Sequence, residues 1–221
     1  NELTSLLLEI DGLSWNNNTS ELLGSTIEFG DIKLHVLAPD HDVAYENKPK
    51  EPDELGVRSD DWYIDLRTLI DNVDDDDIDE GGTNSQSIII LAECEGKKLL
   101  LPGDSTPKKL CDALQSYNKT NGTPLELDFM KLPHHGSTRN VTKNILNEVT
   151  CSNFIISTKK NNKYYFPNKE TIAKLIRYRD SADKAINVYF NYQESLDVLG
   201  ITAEELTENN INLNVCNEFN F

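Results

Sequence analysis

Apolar and polar positions alternate along residues 27–37 on either side of Phe29-Gly30-Asp31, with Ile32, Leu34 and Val36 on one face. That period of two predicts a β-hairpin, which Ala38-Pro39-Asp40 ends. Residues 1–12, around Leu6-Leu7-Leu8-Glu9-Ile10, predict an earlier strand, and Asn16-Asn17-Asn18-Thr19-Ser20 a polar loop. Further strands are predicted at 87–93 and 98–101, joined by the tight turn Glu95-Gly96-Lys97, and at 125–132, 153–157 and 185–191. Between them the spacing becomes helical. It does so at 62–73 (Trp62, Leu66, Leu69, Ile70, Val73), 107–117 (Leu110, Leu114), 141–149 and 169–178 (Ile172, Leu175, Ile176). Strands that alternate with helices predict an α/β arrangement.

The polar stretch 40–83 interrupts this pattern. Prolines at 39, 49 and 52 make its first part a surface excursion. Its end, Asp74-Asp75-Asp76-Asp77-Ile78-Asp79-Glu80-Gly81-Gly82, reads as a flexible acidic loop, because the carboxylate spacing of an EF-hand is absent.

Composition narrows the classes. At 221 residues, with 38% apolar residues and a mean hydropathy of −0.51, the chain can build a core and is treated as one domain spanning 1–221. No apolar run approaches the ~20 residues of a membrane span, and no signal peptide is visible. The chain opens at Asn1 within a predicted strand, so a piece of a longer polypeptide is expected. Cys94, Cys111, Cys151 and Cys216 form no CxxC clip; free thiols in a reducing, cytoplasmic setting are expected. The sequons at Asn17, Asn18, Asn118, Asn121 and Asn140 carry little weight among 24 asparagines.

The net charge of −17 is uneven. Residues 1–100 hold 7 basic and 24 acidic residues, residues 101–184 hold 14 and 8, and residues 185–221 hold none and 6. The acidic total argues against bulk DNA binding through a basic face. The net +6 of the middle third suits an anionic substrate held locally.

Two segments beyond strand ends carry the candidate chemistry. Leu99-Leu100-Leu101-Pro102-Gly103-Asp104-Ser105 delivers a carboxylate to a loop, with Gly103 permitting a tight turn. Met130-Lys131-Leu132-Pro133-His134-His135-Gly136-Ser137 delivers two adjacent imidazoles about thirty residues later, after a predicted helix. Neither segment is specific alone; their order and spacing make the combination so.

Asn84-x-x-Ser87 with its apolar strand, the Gly-Asp-Ser segment, the helix and His-His-Gly-Ser together resemble the C-terminal half of a metallo-β-lactamase-fold hydrolase. The nearest subgroup holds the DNA-uptake competence hydrolase domain and the phosphorylcholine esterases. Ile155-Ile156-Ser157 and the Pro167-x-x-x-Thr171-x-x-x-Leu175 spacing extend the match over 84–178, with weaker support at 24–40. The resemblance implies an α/β fold, the four-layer αβ/βα sandwich, of which this chain is mainly the C-terminal part. It implies Asp104 as a carboxylate bridging two divalent ions, Zn²⁺ or Mn²⁺, His135 as a terminal metal ligand, and His134 as a catalytic residue contacting the anionic substrate. Ser137 either holds a substrate oxygen or caps the segment that follows.

The family's His-x-His-x-Asp-His motif is not present in the 221 residues. His35 lies in a strand and His41 in an acidic loop, and neither is taken as a ligand. Tyr165-Phe166-Pro167 stands where many relatives carry His-Pro. The expected function is metal-dependent hydrolysis of a phosphodiester or related phosphate ester, with nucleic acid a candidate substrate. The missing N-terminal half of the fold is expected from upstream or from another chain. The alternatives are a catalytically silent scaffold or assembly module in a larger complex and, more weakly, a lactonase- or amidase-like hydrolase.

Overall fold

A computed structural model describes residues 23–38, 60–122, 124–179 and 181–219. The strand expected at 1–12, the loop at 16–20, His41 and most of the 40–60 excursion lie outside these residues. The expected hairpin forms: β1 (Thr26–Phe29) pairs antiparallel with β2 (Ile32–Ala38). Strand β2 pairs antiparallel with β3 (Ile89–Cys94), and β3 with β4 (Lys97–Leu101).

After β4 the pairing changes sense. The chain crosses through a helix, Pro107–Asn121, and a short strand β5 (Leu125–Glu126) to β6 (Phe129–Lys131), which runs parallel to β4. Strands β8 (Asn153–Ile156), β9 (Ile186–Phe190) and β10 (Ile211–Val215) continue in parallel. Among the described residues the result is a mixed eight-stranded sheet in the order β1-β2-β3-β4-β6-β8-β9-β10. Strand β7 (Val149–Thr150) pairs only with β5, in a small second sheet. The class is α/β.

In β9, Ile186, Val188 and Phe190 are buried while Asn187 and Tyr189 are half-buried; in β3, Ile89 and Leu91 are buried and Ile90 and Ala92 half-buried. The buried face joins one core with helical side chains. Label the helices α1 (Leu66–Asn72), α2 (Pro107–Asn121), α3 (Lys143–Asn147) and α4 (Lys169–Tyr178). Leu110 and Leu114 of α2, Ile145 of α3 and Ile172 of α4 are fully enclosed in that core, each contributing about 1.5–3 kcal/mol of transfer energy. No helix among the described residues is long and apolar enough to cross a membrane.

Four expectations need correction. The helix expected at 62–73 begins only at Leu66, because the Asp65 carboxylate accepts from the Thr68 N–H at 2.8 Å and caps it there. The helix expected at 141–149 is confined to α3, capped by Thr142. The strand expected at 125–132 divides between two sheets: Asp128 leaves the ladder, and its carboxylate accepts from the Lys98 N–H and from Lys97, each at 2.9 Å. The acidic run is not a free loop. Asp74 and Asp76 are exposed, but Asp75 and Asp77 are pinned and Asp79 is buried.

Lys174 of α4 does the first pinning. Its ammonium is fully enclosed and donates to Asp75 Oδ1 (2.8 Å) and to the carbonyls of Thr138 (3.0 Å) and Val141 (3.1 Å). Asp75 also accepts from the Lys143 N–H at 2.8 Å. Arg139 donates through Nε to Asp77 Oδ1 (3.0 Å) and through Nη2 to the Ile78 carbonyl (3.2 Å), and the Asp79 N–H donates to the Arg139 carbonyl (3.0 Å). Residues 75–79 thus form a strap tied to residues 138–143.

The C-terminal region holds α5 (Gln193–Asp197), α6 (Ala203–Glu208) and β10, none of them predicted. A capping box, Thr202 with Glu205, starts α6; the same Glu205 accepts from the Leu66 N–H at 2.9 Å, fastening α6 to α1.

Candidate functional site

Strands β4 and β6 are parallel neighbours, with Leu99 opposite Phe129 and Leu100 opposite Met130. Their carboxyl ends therefore open side by side, beside the place where the sheet changes from antiparallel to parallel pairing. Loops at the carboxyl ends of parallel strands are where α/β sheets commonly place ligands. The Gly103 carbonyl accepts from the His134 N–H at 3.1 Å, joining the two candidate segments directly.

Gly103 has φ +61°, and a Cβ there would lie 3.3 Å from both the Ile88 carbonyl oxygen and Ser87 Cβ. Only glycine fits that approach. The second loop is more constrained: His134 (φ 42°), His135 (φ 60°) and Gly136 (φ 78°) follow one another in the left-handed region. Two successive non-glycine residues there are costly and persist only when the surroundings hold them. The holding contacts are the Gly136 N–H to the Pro133 carbonyl (3.0 Å), the Ser137 N–H to the His134 carbonyl (3.0 Å) and Thr171 Oγ1 of α4 to the Gly136 carbonyl (2.7 Å).

Asp104 and His135 come together, both half-exposed, with His135 Nε2 at 4.0 Å from Asp104 Oδ1. The other ring nitrogen, Nδ1, lies 2.8 Å from the Ser157 carbonyl oxygen just past β8. A carbonyl only accepts, so Nδ1 donates to it, and Nε2 faces the carboxylate.

His134 is turned the other way. Its Nδ1 lies 3.5 Å from Asp79 Oδ2 and 3.4 Å from Asn84 Nδ2. Asp79 accepts on Oδ2 from Asn84 (2.7 Å) and Asn140 (2.8 Å), and on Oδ1 from the Gly81 N–H (2.8 Å). Burial by itself would raise this carboxyl, but the nearby His134 ring and the hydrogen bonds from Asn140, Asn84 and the Gly81 N–H prevail and hold it well below the usual carboxylate range. The Phe166 ring packs 5.4 Å from the His134 ring and 6.1 Å from that of His135, giving the site an apolar wall.

Ser137 is buried, and its backbone braces the turn: the Asn140 N–H donates to its carbonyl at 3.1 Å. His35 lies in β2, bonded through Nδ1 to Thr26 Oγ1 (2.9 Å) and 3.7 Å from Glu93. Among the described residues, no group of three or more His, Cys, Asp or Glu side chains is placed to hold a metal ion. Asp104 and His135 are a pair.

Two residues beside this pair escaped sequence reasoning. Lys131, half-buried, places its ammonium 3.2 Å from the Leu132 carbonyl; burial pushes it below the ordinary lysine range while the charge of Asp104 opposes that. Asp79 was submerged in the acidic run. No signal in the acidic run set Asp79 apart, because its partners Asn84, Asn140 and His134 come from other segments.

The fold and the loops therefore define an α/β protein with a carboxylate and two imidazoles at adjacent strand ends. No protein-family model matches the chain. Over 120 residues, 52% of its length, it is 28% identical to Recombination protein 2 of Haemophilus influenzae. The aligned part amounts to 14% of that relative's length.

Proposed function

We propose that this chain carries part of the centre of a metal-dependent hydrolase acting on a phosphodiester or related phosphate ester, within a four-layer metallo-β-lactamase-like sandwich. The observation that carries the reading is the pair Asp104–His135, with the Nδ1 proton of His135 committed to the Ser157 carbonyl. Metal-binding imidazoles characteristically give their second nitrogen to such an acceptor, which fixes the tautomer and aims the lone pair. Carboxylate oxygen with imidazole nitrogen is a donor set suited to Zn²⁺ or Mn²⁺.

Asp104 and His135 would hold metal, and the remaining ligands would come from outside the described residues. Two bound divalent ions supply Lewis acidity toward phosphoryl oxygens. The half-buried second face of the sheet, with Ile90 and Ala92 of β3 and Tyr189 of β9, supports a further layer packed upon it. Lys131 adds a cation beside Asp104, which favours an anionic substrate. His134 would contact a substrate oxygen. The buried Ser137 serves the turn rather than the substrate in this reading. Similarity to a protein named for recombination favours nucleic acid among phosphate esters.

The test is metal analysis of the full-length protein together with hydrolysis of a chromogenic phosphodiester, before and after chelation. About two equivalents of metal and chelator-sensitive turnover are expected. The competing reading, a silent scaffold, draws on Phe166, whose ring stands against both imidazoles where related hydrolases carry His. Metal-free protein without turnover would establish it.

A further inference from the structure

The strap at 75–79 lies near the end of the acidic excursion, ahead of β3, and it ends on a buried carboxylate 3.5 Å from one of the site imidazoles. From this geometry we propose that Asp79 is a positioning residue for His134: it fixes Nδ1 as the protonated nitrogen and sets the ring's rotation, leaving Nε2 for the substrate oxygen. The inference rests on the phosphate-ester reading for the role of His134, but the contact itself does not.

Three features support it. First, Asp79 is built in rather than incidental. It is only 7% exposed, and three donors converge on its two oxygens, Asn84, Asn140 and the Gly81 N–H, while His134 Nδ1 stands 3.5 Å from Oδ2. A carboxylate enclosed by donors stays ionised, and an ionised acceptor beside a ring nitrogen favours the proton on that nitrogen.

Second, the donors come from both sides of the site. Asn84 begins the short helical turn before β3, and Asn140 follows the His-His-Gly-Ser turn. Asn140 Nδ2 also reaches the carbonyl of Ser105, the residue after Asp104, at 3.0 Å. Asp79 is thus wired to both loops that form the site.

Third, its position is enforced from outside. Lys174 holds Asp75, and Arg139 holds Asp77 and the Ile78 carbonyl, so the strap cannot slide by a residue without breaking these bonds. The competing arrangement has the Asn84 amide donating to Nδ1 at 3.4 Å, which would place the ring proton on Nε2.

The two arrangements are distinguished by ¹⁵N spectra of the imidazole nitrogens in the whole protein, recorded at alkaline pH. The His134 signals among the four histidines are assigned from a His134→Gln variant. The expected result is a pyrrole-type Nδ1 and a pyridine-type Nε2. The reverse pattern in the unaltered protein overturns the proposal without any need for a variant. In Asp79→Asn, expected to remain folded by circular dichroism, the Nδ1–H preference should be lost and kcat should fall about 10- to 100-fold, with KM and bound metal unchanged. Unchanged kcat, or equal losses in KM and metal content, would make Asp79 merely structural and overturn the proposal. If the unaltered protein hydrolyses no phosphate ester while its tautomer is as expected, the functional reading fails and the positioning contact stands.

Discussion

Replacing Lys174 by Met tests the account of the strap most directly. Methionine keeps the length and apolar stem of the side chain, so packing within α4 changes little. What is lost is the ammonium and its bonds to Asp75 Oδ1, the Thr138 carbonyl and the Val141 carbonyl. Each carbonyl left buried without a donor costs about 1–3 kcal/mol. Breaking a fully buried ion pair from one side costs about 3–5 kcal/mol, but the Asp75 side chain is 27% exposed and water takes over part of that. The net expectation is a loss of about 3–4 kcal/mol, a large share of the ~5–15 kcal/mol that holds a domain together. Urea unfolding followed by far-ultraviolet circular dichroism should show the midpoint fall by about 1–2 M with an unchanged slope. The double variant with Asp75→Asn should match the single variant more closely than the sum of the two, since the aspartate has already lost its partner. A midpoint shift below about 0.3 M would refute the reasoning, because it would mean that the three contacts contribute almost nothing.

Other expectations concern single sites. Asp104→Asn should abolish phosphate-ester hydrolysis and lower bound metal while leaving the fold intact, since the side chain is 43% exposed; full activity with unchanged metal content would sink the metal reading. Gly136→Ala should destabilise by about 1–3 kcal/mol, because φ is +78° and the new Cβ would meet Ile156 side-chain carbons at 3.3 Å; thermal melting reads this. Burial pushes the Asp61 carboxyl up to about 6, although its Oδ2 accepts from the Glu170 N–H at the start of α4. Folded protein then binds the Asp61 proton more tightly than unfolded protein, so this group's contribution falls as pH rises from about 4 through 6. Asp61→Asn should therefore stabilise by about 3 kcal/mol at pH 8 and by almost nothing at pH 4; equal gains at both would refute the assignment. Asp79 works in the opposite sense, its contribution present above about pH 4 and lost below it, so paired measurements on wild type and Asp61→Asn isolate Asp61.

The second half of the chain was legible because its elements are local. The short apolar run at 88–92, the strand pattern of Ile186, Val188 and Phe190 and the spacing of Ile172, Leu175 and Ile176 each need only a short window to read, and Ile89, Leu91 and the six residues of the other two segments proved buried. Asp104, His134 and His135 were found because they follow strand ends by three or four residues. Misreadings arose where a distant partner decides the outcome. Asp128 ends a strand because Lys97 and Lys98 lie beside it, a contact 30 residues away in the case of Lys98. Asp75, Asp77 and Asp79 looked solvated because their partners, Lys174, Arg139 and Asn140, are far along the chain. The helices after β9 are short and mostly polar, so periodicity gave no purchase; the Thr202–Glu205 pair was a readable start signal that went unused.

The strap also bears on the order in which the molecule assembles. Its ties close loops of 61, 62, 68 and 99 residues, whereas the β4–α2–β6 crossover brings Gly103 to His134 across far fewer. Closing long loops before other contacts exist costs more entropy, so the crossover can form while residues 75–79 are still unattached. A nascent or partly melted chain would then hold Asp104 and His135 at their strand ends with the His134 ring unrestrained. Amide protons of the strap should exchange together, ahead of those in the parallel sheet, as a separate cooperative unit. Completion of the site is in that sense the last event of folding, and its loss the first of unfolding.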